Sequence, residues 1–375
     1  GVERGDISLT NRSRVDTLAD DGGSIAVNAR NVDISGGSII IAGIRESLGT
    51  IDSQAGDITL DATGEIFLDA GSAIGNVVLF GAKGNGGNIN INADSLKLLN
   101  QSGLQASTFG WGNAGNVKIV ANNAVSLTAG NIFSTVEAGG VGSGGSIDIN
   151  SASLILRDGA QILAIIRDAS EMQPVAQGYA GNVNVMVSGE VNIAGEKNGL
   201  ISKISSDIET GRLGKAGDIT IDAGSFKLQD GARLSTSSLG QGNAGNVKIS
   251  VKDGISLIGN GTAIFSTVEA GGVGGGSIDI NSASLIIRDG AQIVTAIREE
   301  FDTRAAGKGD AGNVNVVVTG EIDIAGKKDE FPSGIFSGMG TSAVGNGGDI
   351  NINAASFKIK DRAEISATTY GMGNE

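Results

Sequence analysis

Gly144-Gly145-Ser146-Ile147-Asp148-Ile149-Asn150-Ser151-Ala152-Ser153-Leu154-Ile155-Leu156-Arg157-Asp158-Gly159-Ala160-Gln161-Ile162-Leu163-Ala164-Ile165-Ile166 reads as three short strands. Strand one is 147–150 and strand two is 154–156. The turn dipeptide Asp158-Gly159 stops the second strand, and strand three is 161–166. Apolar residues alternate with period two, which places Ile147, Ile149, Leu154, Leu156, Ile162 and Ala164 on one side. No window of the chain holds an i, i+3, i+4 apolar pattern over three turns, so helices have little place.

The opening of this stretch recurs. A small residue, then Gly, then Asn, Asp or Ser, then an alternating apolar run appears at Gly23-Ser24, Gly56-Asp57, Gly87-Asn88, Gly115-Asn116, Gly145-Ser146 and Gly181-Asn182. It returns at Gly217-Asp218, Gly245-Asn246, Gly276-Ser277, Gly312-Asn313 and Gly348-Asp349. Successive anchors lie 33, 31, 28, 30, 36, 36, 28, 31, 36 and 36 residues apart. The run 28, 30, 36, 36 is followed by 28, 31, 36, 36, so a four-coil super-repeat overlies the coil. Its copies are approximately 86–215 and 216–346. Ile132-Phe133-Ser134-Thr135-Val136-Glu137-Ala138 returns as Ile264-Phe265-Ser266-Thr267-Val268-Glu269-Ala270. Self-similarity at such a period marks a solenoid.

The expected fold is therefore all-β: a single-stranded parallel β-helix with three strands per coil and about 11–12 coils, one repeat domain over 1–375. Equivalent strands would stack about 4.8 Å apart, giving about 53 Å of rod. Each inward Ile, Val or Leu would contribute on the order of 1.5–3 kcal/mol. The outward column of strand one would run Thr59, Asn90, Lys118, Asp148, Asn184, Thr220, Lys248, Asp279, Asn315, Asn351. In that order each Lys is followed by an Asp and no like charges adjoin, as stacked strands require.

Composition agrees. Glycine accounts for 62 residues and proline for two, Pro174 and Pro332, which excludes collagen. Hydrophobics are 40% but aromatics only 3%, so the core is aliphatic. The net charge of −14 disfavours nucleic acid and anionic membranes, which need basic patches. With no Cys and no His the chain lacks disulfides, thiolate or imidazole metal ligands, and the usual catalytic bases and nucleophiles. No run approaches a membrane span of about 18 apolar residues, and no signal peptide opens the chain. The pattern stops partway at Gly373-Asn374-Glu375, so the sequence reads as a fragment of something longer.

Several features invite chemistry. Residues 110–115 and 240–245 match G-x-G-x-x-G, but a dinucleotide site needs that motif between a strand and a helix, and here a strand follows. The glycines are expected instead to permit a positive-φ corner at the start of each coil. The Asn/Asp/Ser anchor column could be a calcium ladder or a hydrogen-bonded stack. No two carboxylates are neighbours in it, which favours the stack. Asp158 and Asp289 each belong to a D-G turn, and no face gathers the carboxylate pair that glycosidic cleavage needs. Phe109 recurs as Leu239 and Tyr370, with Trp111 and Met372 beside it; such side chains could stack on a sugar ring or pack on the neighbouring loop. Long loops after strand three, at 167–179, 198–215, 298–310 and 329–346, are expected on one edge, where solenoids often bind. No catalytic, cofactor-binding or metal-binding residue is assigned.

Gly-Asn-Ala-Gly-Asn-Val-Lys-Ile (112–119), Gly-Asn-Gly-Gly-Asn-Ile-Asn-Ile (84–91) and Gly-Gly-Ser-Ile-Asp-Ile-Asn (144–150) resemble the repeats of filamentous-haemagglutinin-like exoproteins. They are most similar to the Gly-Asn-rich cyanobacterial type secreted by the two-partner route, and the resemblance covers nearly the whole chain. It implies a right-handed β-helix, export through an outer-membrane transporter, an extracellular or outer-surface location and a role in adhesion. It carries over no catalytic residues. The family's amino-terminal secretion domain is missing here.

The expected function is thus a non-enzymatic structural rod in an adhesin-like exoprotein, with cell-surface glycans or other cells as partners, no nucleic acid, and end-to-end self-association through unpaired strand edges. The alternative is a carbohydrate-binding or carbohydrate-cleaving β-helix using the long-loop edge, with Asp302 or Glu330 as its acids.

Overall fold

The computed structural model describes residues 3–167, 176–209, 213–269, 272–298 and 306–370. It is all-β, with no helix among the described residues. The strands are mostly parallel and lie in large sheets, in a solenoid-like arrangement. The chain forms two compact units, Gly1–Val187 and Ser188–Glu375.

In the first unit the strands of one period are Ile147–Ser151, Ser153–Arg157 and Gln161–Leu163. Each pairs in parallel with its equivalent one period earlier: Val117–Ala121, Ala124–Thr128 and Asn131–Phe133. The first two strands of the period belong to one sheet and the third to another. Sheet neighbours are therefore repeat equivalents, as the anchor spacing requires.

The expected strand-one register holds in both units. Thr59 pairs with Asn90, Asn90 with Lys118, Lys118 with Asp148 and Asp148 with Asn184. In the second unit Thr220, Lys248, Asp279, Asn315 and Asn351 follow one another in the same way. The carboxylates gain amide partners: Asn184 donates to Asp148 at 2.8 Å and Asn315 to Asp279 at 2.7 Å.

The inward residues are buried. Ile147, Leu154, Leu156, Ile162 and Ala164 are inaccessible, and Ile149 nearly so. Alternation fails at the third strand, where Leu163 and Ile165 are buried as well. Among the described residues Phe226 is the one aromatic side chain in the buried core, so the core is aliphatic as composition implied. Strands one and two are not always separate: Val314–Ala325 is one twelve-residue strand with a register shift between Val318 and Glu321.

The positive-φ corner expected of the glycine motif is present, but the anchor glycines themselves do not make it. Gly87, Gly115, Gly145, Gly245, Gly276 and Gly312 do not have positive φ. They are glycine because backbone rests on backbone. A Cβ on Gly115 would lie 1.9 Å from the Gly87 carbonyl oxygen, and one on Gly276 would lie 1.8 Å from that of Gly245. The positive-φ residue of this corner is Gly112, three positions earlier, at +143°.

Buried hydroxyls and amides satisfy the glycine carbonyls. Asn76 Nδ2 donates to Gly56 O at 2.8 Å and Ser134 Oγ to Gly115 O at 2.9 Å. Ser266 Oγ donates to Gly245 O at 2.9 Å and accepts from Gly276 N at 3.1 Å, linking two rungs. A buried carbonyl left without such a partner would cost about 1–3 kcal/mol.

The long loops need a second correction. Two of the four contain strand three itself, as Lys203–Ser205 and Gly334–Met339. Their extra residues precede that strand, as small antiparallel hairpins that pair Glu196–Lys197 with Leu200–Ile201 and Lys327–Lys328 with Phe331–Pro332. The extensions at 167–179 and 298–310 follow strand three and lie partly outside the described residues. Insertions thus occur at two corners rather than one edge. A tight hairpin closes on itself by antiparallel hydrogen bonds, so it can interrupt a turn without disturbing the parallel rungs.

Candidate functional site

Most features that invited chemistry are occupied by structural roles. After Gly110-Trp111-Gly112-Asn113-Ala114-Gly115 comes the strand Val117–Ala121. The floor of the motif is filled by the neighbouring rung, since a Cβ on Gly112 would lie 2.0 Å from the Gly84 carbonyl. The second match behaves alike, with Gly242 against the Gly214 carbonyl at 1.7 Å.

The anchor column is a hydrogen-bonded ladder. Asp57 Oδ1 accepts from Asn88 N at 2.7 Å and from Asn88 Nδ2 at 3.1 Å. Asn88 Oδ1 accepts both nitrogens of Asn116 at 3.0 Å, and Asn116 Oδ1 accepts from Ser146 N at 2.8 Å. In the second unit Asp218, Asn246 and Ser277 are joined in the same sense. Each oxygen caps the backbone N–H of the next rung. Among the described residues no group of three or more metal-ligating side chains converges.

Asp158 and Asp289 sit in left-handed turns, at φ 56° and 57°, followed by Gly159 and Gly290 at 81° and 86°. Glu330 is at the tip of its hairpin, ion-paired with Lys327 at 3.0 Å. Asp302 and Met372 lie outside the described residues. Phe109 packs against Phe80 with ring centroids 5.1 Å apart. Trp111 is 61% exposed, with the Lys83 ammonium 5.9 Å from its ring centroid.

Charge is handled between rungs. Lys97 pairs with Glu65, Lys227 with Glu190 and Lys358 with Glu321. The hydrogen bonds to Glu321 raise the Lys358 ammonium above its ordinary value. The Arg30 guanidinium, donating from Nε to Asp6 Oδ1 at 2.9 Å, lowers the Asp6 carboxyl to about 2. These pairs are exposed and screened by solvent, so each adds little to stability.

One place in the second unit is different: an open trough of about 810 Å³ over the outward face of strand three. Its floor is Val294 and Phe336, register partners in adjacent rungs. Phe331, on the hairpin, stands on one rim at 53% exposed, and Tyr370 on another at 69%. Arg298 and Glu269 border it as an ion pair of 3.2 Å. Tyr370 was weighed singly from sequence, and Arg298, Phe331 and Phe336 belong to the long loops 298–310 and 329–346 that were expected to bind. The others, Phe331 and Phe336 above all, carry no local motif. They emerge when the two super-repeat copies are aligned at an offset of 131 residues: Phe331 then faces Leu200, Phe336 faces Ser205 and Tyr370 faces Leu239.

No family model matches the chain, and no curated protein or solved structure is similar to it.

Proposed function

We propose that the chain is a section of a right-handed parallel β-helix, three strands per coil, that serves as a stiff shaft in an adhesin-like exoprotein at the cell surface. The observation that carries this reading is in-register stacking. Glycine carbonyls, Asn ladders and aliphatic columns each repeat rung upon rung, so most side chains are committed to propagating the repeat. Handedness, two-partner export and extracellular placement come from the resemblance of the Gly-Asn repeats to filamentous-haemagglutinin-like exoproteins. A non-enzymatic role is part of the reading: the acids singled out from sequence that lie among the described residues are engaged in turns, ladders or ion pairs.

The test is removal of one super-repeat, 216–346, from the exoprotein. Such a cut joins equivalent coil boundaries, so secretion and the melting temperature should be retained while the reach of the displayed protein shortens. Four coils at about 4.8 Å amount to roughly 19 Å, measurable by electron microscopy. Loss of folding, or an unchanged length, would refute the shaft.

A further inference from the structure

We propose that the trough formed by Phe331, Phe336, Val294 and Tyr370 binds a neutral polysaccharide chain. This goes beyond the shaft reading and does not depend on it.

Three observations converge. The first is concentration. The chain is 3% aromatic, yet Phe331, Phe336 and Tyr370 line one trough, with Phe265 in the adjoining hollow. Phe331, on the hairpin, is more than half exposed, which core packing does not require.

The second is divergence between duplicated copies. Inward positions stay apolar or small: Ile335 and Ser337 repeat Ile204 and Ser206, and Met339 stands where Ile208 does. The outward face changes in character. Leu200, Ser205 and Leu239 become Phe331, Phe336 and Tyr370, while Lys203 and Asp207 become Gly334 and Gly338. The glycines make room. A Cβ on Gly334 would lie 2.8 Å from Cζ of the Phe336 ring, so the ring can lie back along its own strand. At Gly338 the floor loses the carboxylate that the first copy places there.

The third is chemistry. Concave sites with apolar walls and a few polar groups at the edge are the usual form of a binding site. Ring faces suit the C–H faces of pyranose rings, and the hydroxyls of Thr341, Ser366 and Thr368 at the edge suit a polyhydroxylated ligand. Among the described residues the border's cation, Arg298, and anion, Glu269, are ion-paired, and the chain carries −14 overall, which opposes a polyanion. An open trough admits a polymer running through it.

Affinity electrophoresis of the 375-residue chain in gels containing soluble polymers of glucose, mannose or N-acetylglucosamine tests this. At least one neutral polymer should retard migration. The Phe331→Ala/Tyr370→Ala double variant, altered only at exposed side chains, should weaken binding by about tenfold or more with an unchanged melting temperature. Trp111→Ala, in the other unit, should bind as the parent does. Absence of retardation in every neutral gel, retardation only by dextran sulfate, or retardation unchanged in the double variant would overturn the proposal. None of these outcomes bears on the shaft, whose own test is the length after removal of 216–346.

Discussion

Two patches of the second unit occupy equivalent rungs of the duplicated block and have opposite character. Where the last coil of the first copy meets the first coil of the second, the outward face of strand three is a closed polar network. The Asp207 carboxylate accepts from Ser205 Oγ at 2.5 Å, Ser235 Oγ at 2.7 Å and Ser237 N at 2.6 Å, and Ser205 is buried. At the positions 131 residues on stand Phe336 and Gly338 of the second copy and Ser366 and Thr368 of the coil after it, and the face is an open aromatic trough. The backbone pairing is the same in kind, with Lys203–Ser205 on Arg233–Ser235 and Gly334–Met339 on Glu364–Thr369. The comparison separates two sets of positions. Anchor glycines recur, and inward side chains stay apolar or small, because both hold the rungs together. Outward side chains are released from that duty and can be assigned a ligand.

The strongest way to break this separation is at the glycine column that both patches share. In Gly312→Ala the new Cβ meets the Gly276 carbonyl oxygen at 2.0 Å. Backbone cannot yield as a flexible side chain does, so the loss should be roughly 3 kcal/mol or more, the upper part of the usual range for point mutations. Urea unfolding of the variant measures it. A loss below about 1 kcal/mol would mean that the column is not a packing constraint.

A smaller effect sharpens the inward half of the comparison. Ser206 accepts from Gly217 N at 2.9 Å, and Ser337 donates to Gly312 O at 3.3 Å. Changing either to Ala should cost about 1–3 kcal/mol, because a buried glycine group loses its partner. Thermal unfolding of the two variants should give similar losses. A large cost in one copy alone would mean that the copies are not built alike inside.

The smallest effect is electrostatic and pH-dependent. Lys358 is raised above 10.5 by Glu321. A raised folded-state pKa stabilises fully below the unfolded value and loses that contribution as pH rises through the folded one. The stability difference between the parent and Lys358→Met should therefore be constant from neutral pH to about pH 10 and shrink in stronger alkali. A difference that grows with pH would reverse this sign.

Much of this was legible in the residues. The period of the anchors placed the strands of Ile147–Ser151 and its equivalents, and the alternation named the inward set. The stacked column of Lys118 and Asp148 appeared because period two and a fixed repeat leave one register. The expected positive-φ corner exists at Gly112, but the anchor glycine Gly115 is required for close backbone packing instead. Whether a glycine is required by its own φ or by a carbonyl one rung away depends on a residue about 30 positions distant, which local pattern does not reveal. The loops were misplaced for a related reason: a hairpin before strand three and an extension after it lengthen the coil equally.

The loops 298–310 and 329–346 that border the trough were marked in the sequence as a binding edge, but the residues that meet there were not. Phe331, Phe336 and Tyr370 are up to 39 residues apart and share no motif. The sequence by itself determined the repeat, the strands, the aliphatic core and the ladder, because each follows from short-range periodicity acting through a fixed stacking distance. Only the tertiary structure decided which outward residues meet. That depends on where each corner folds, and insertions of equal length at different corners send their side chains to different faces.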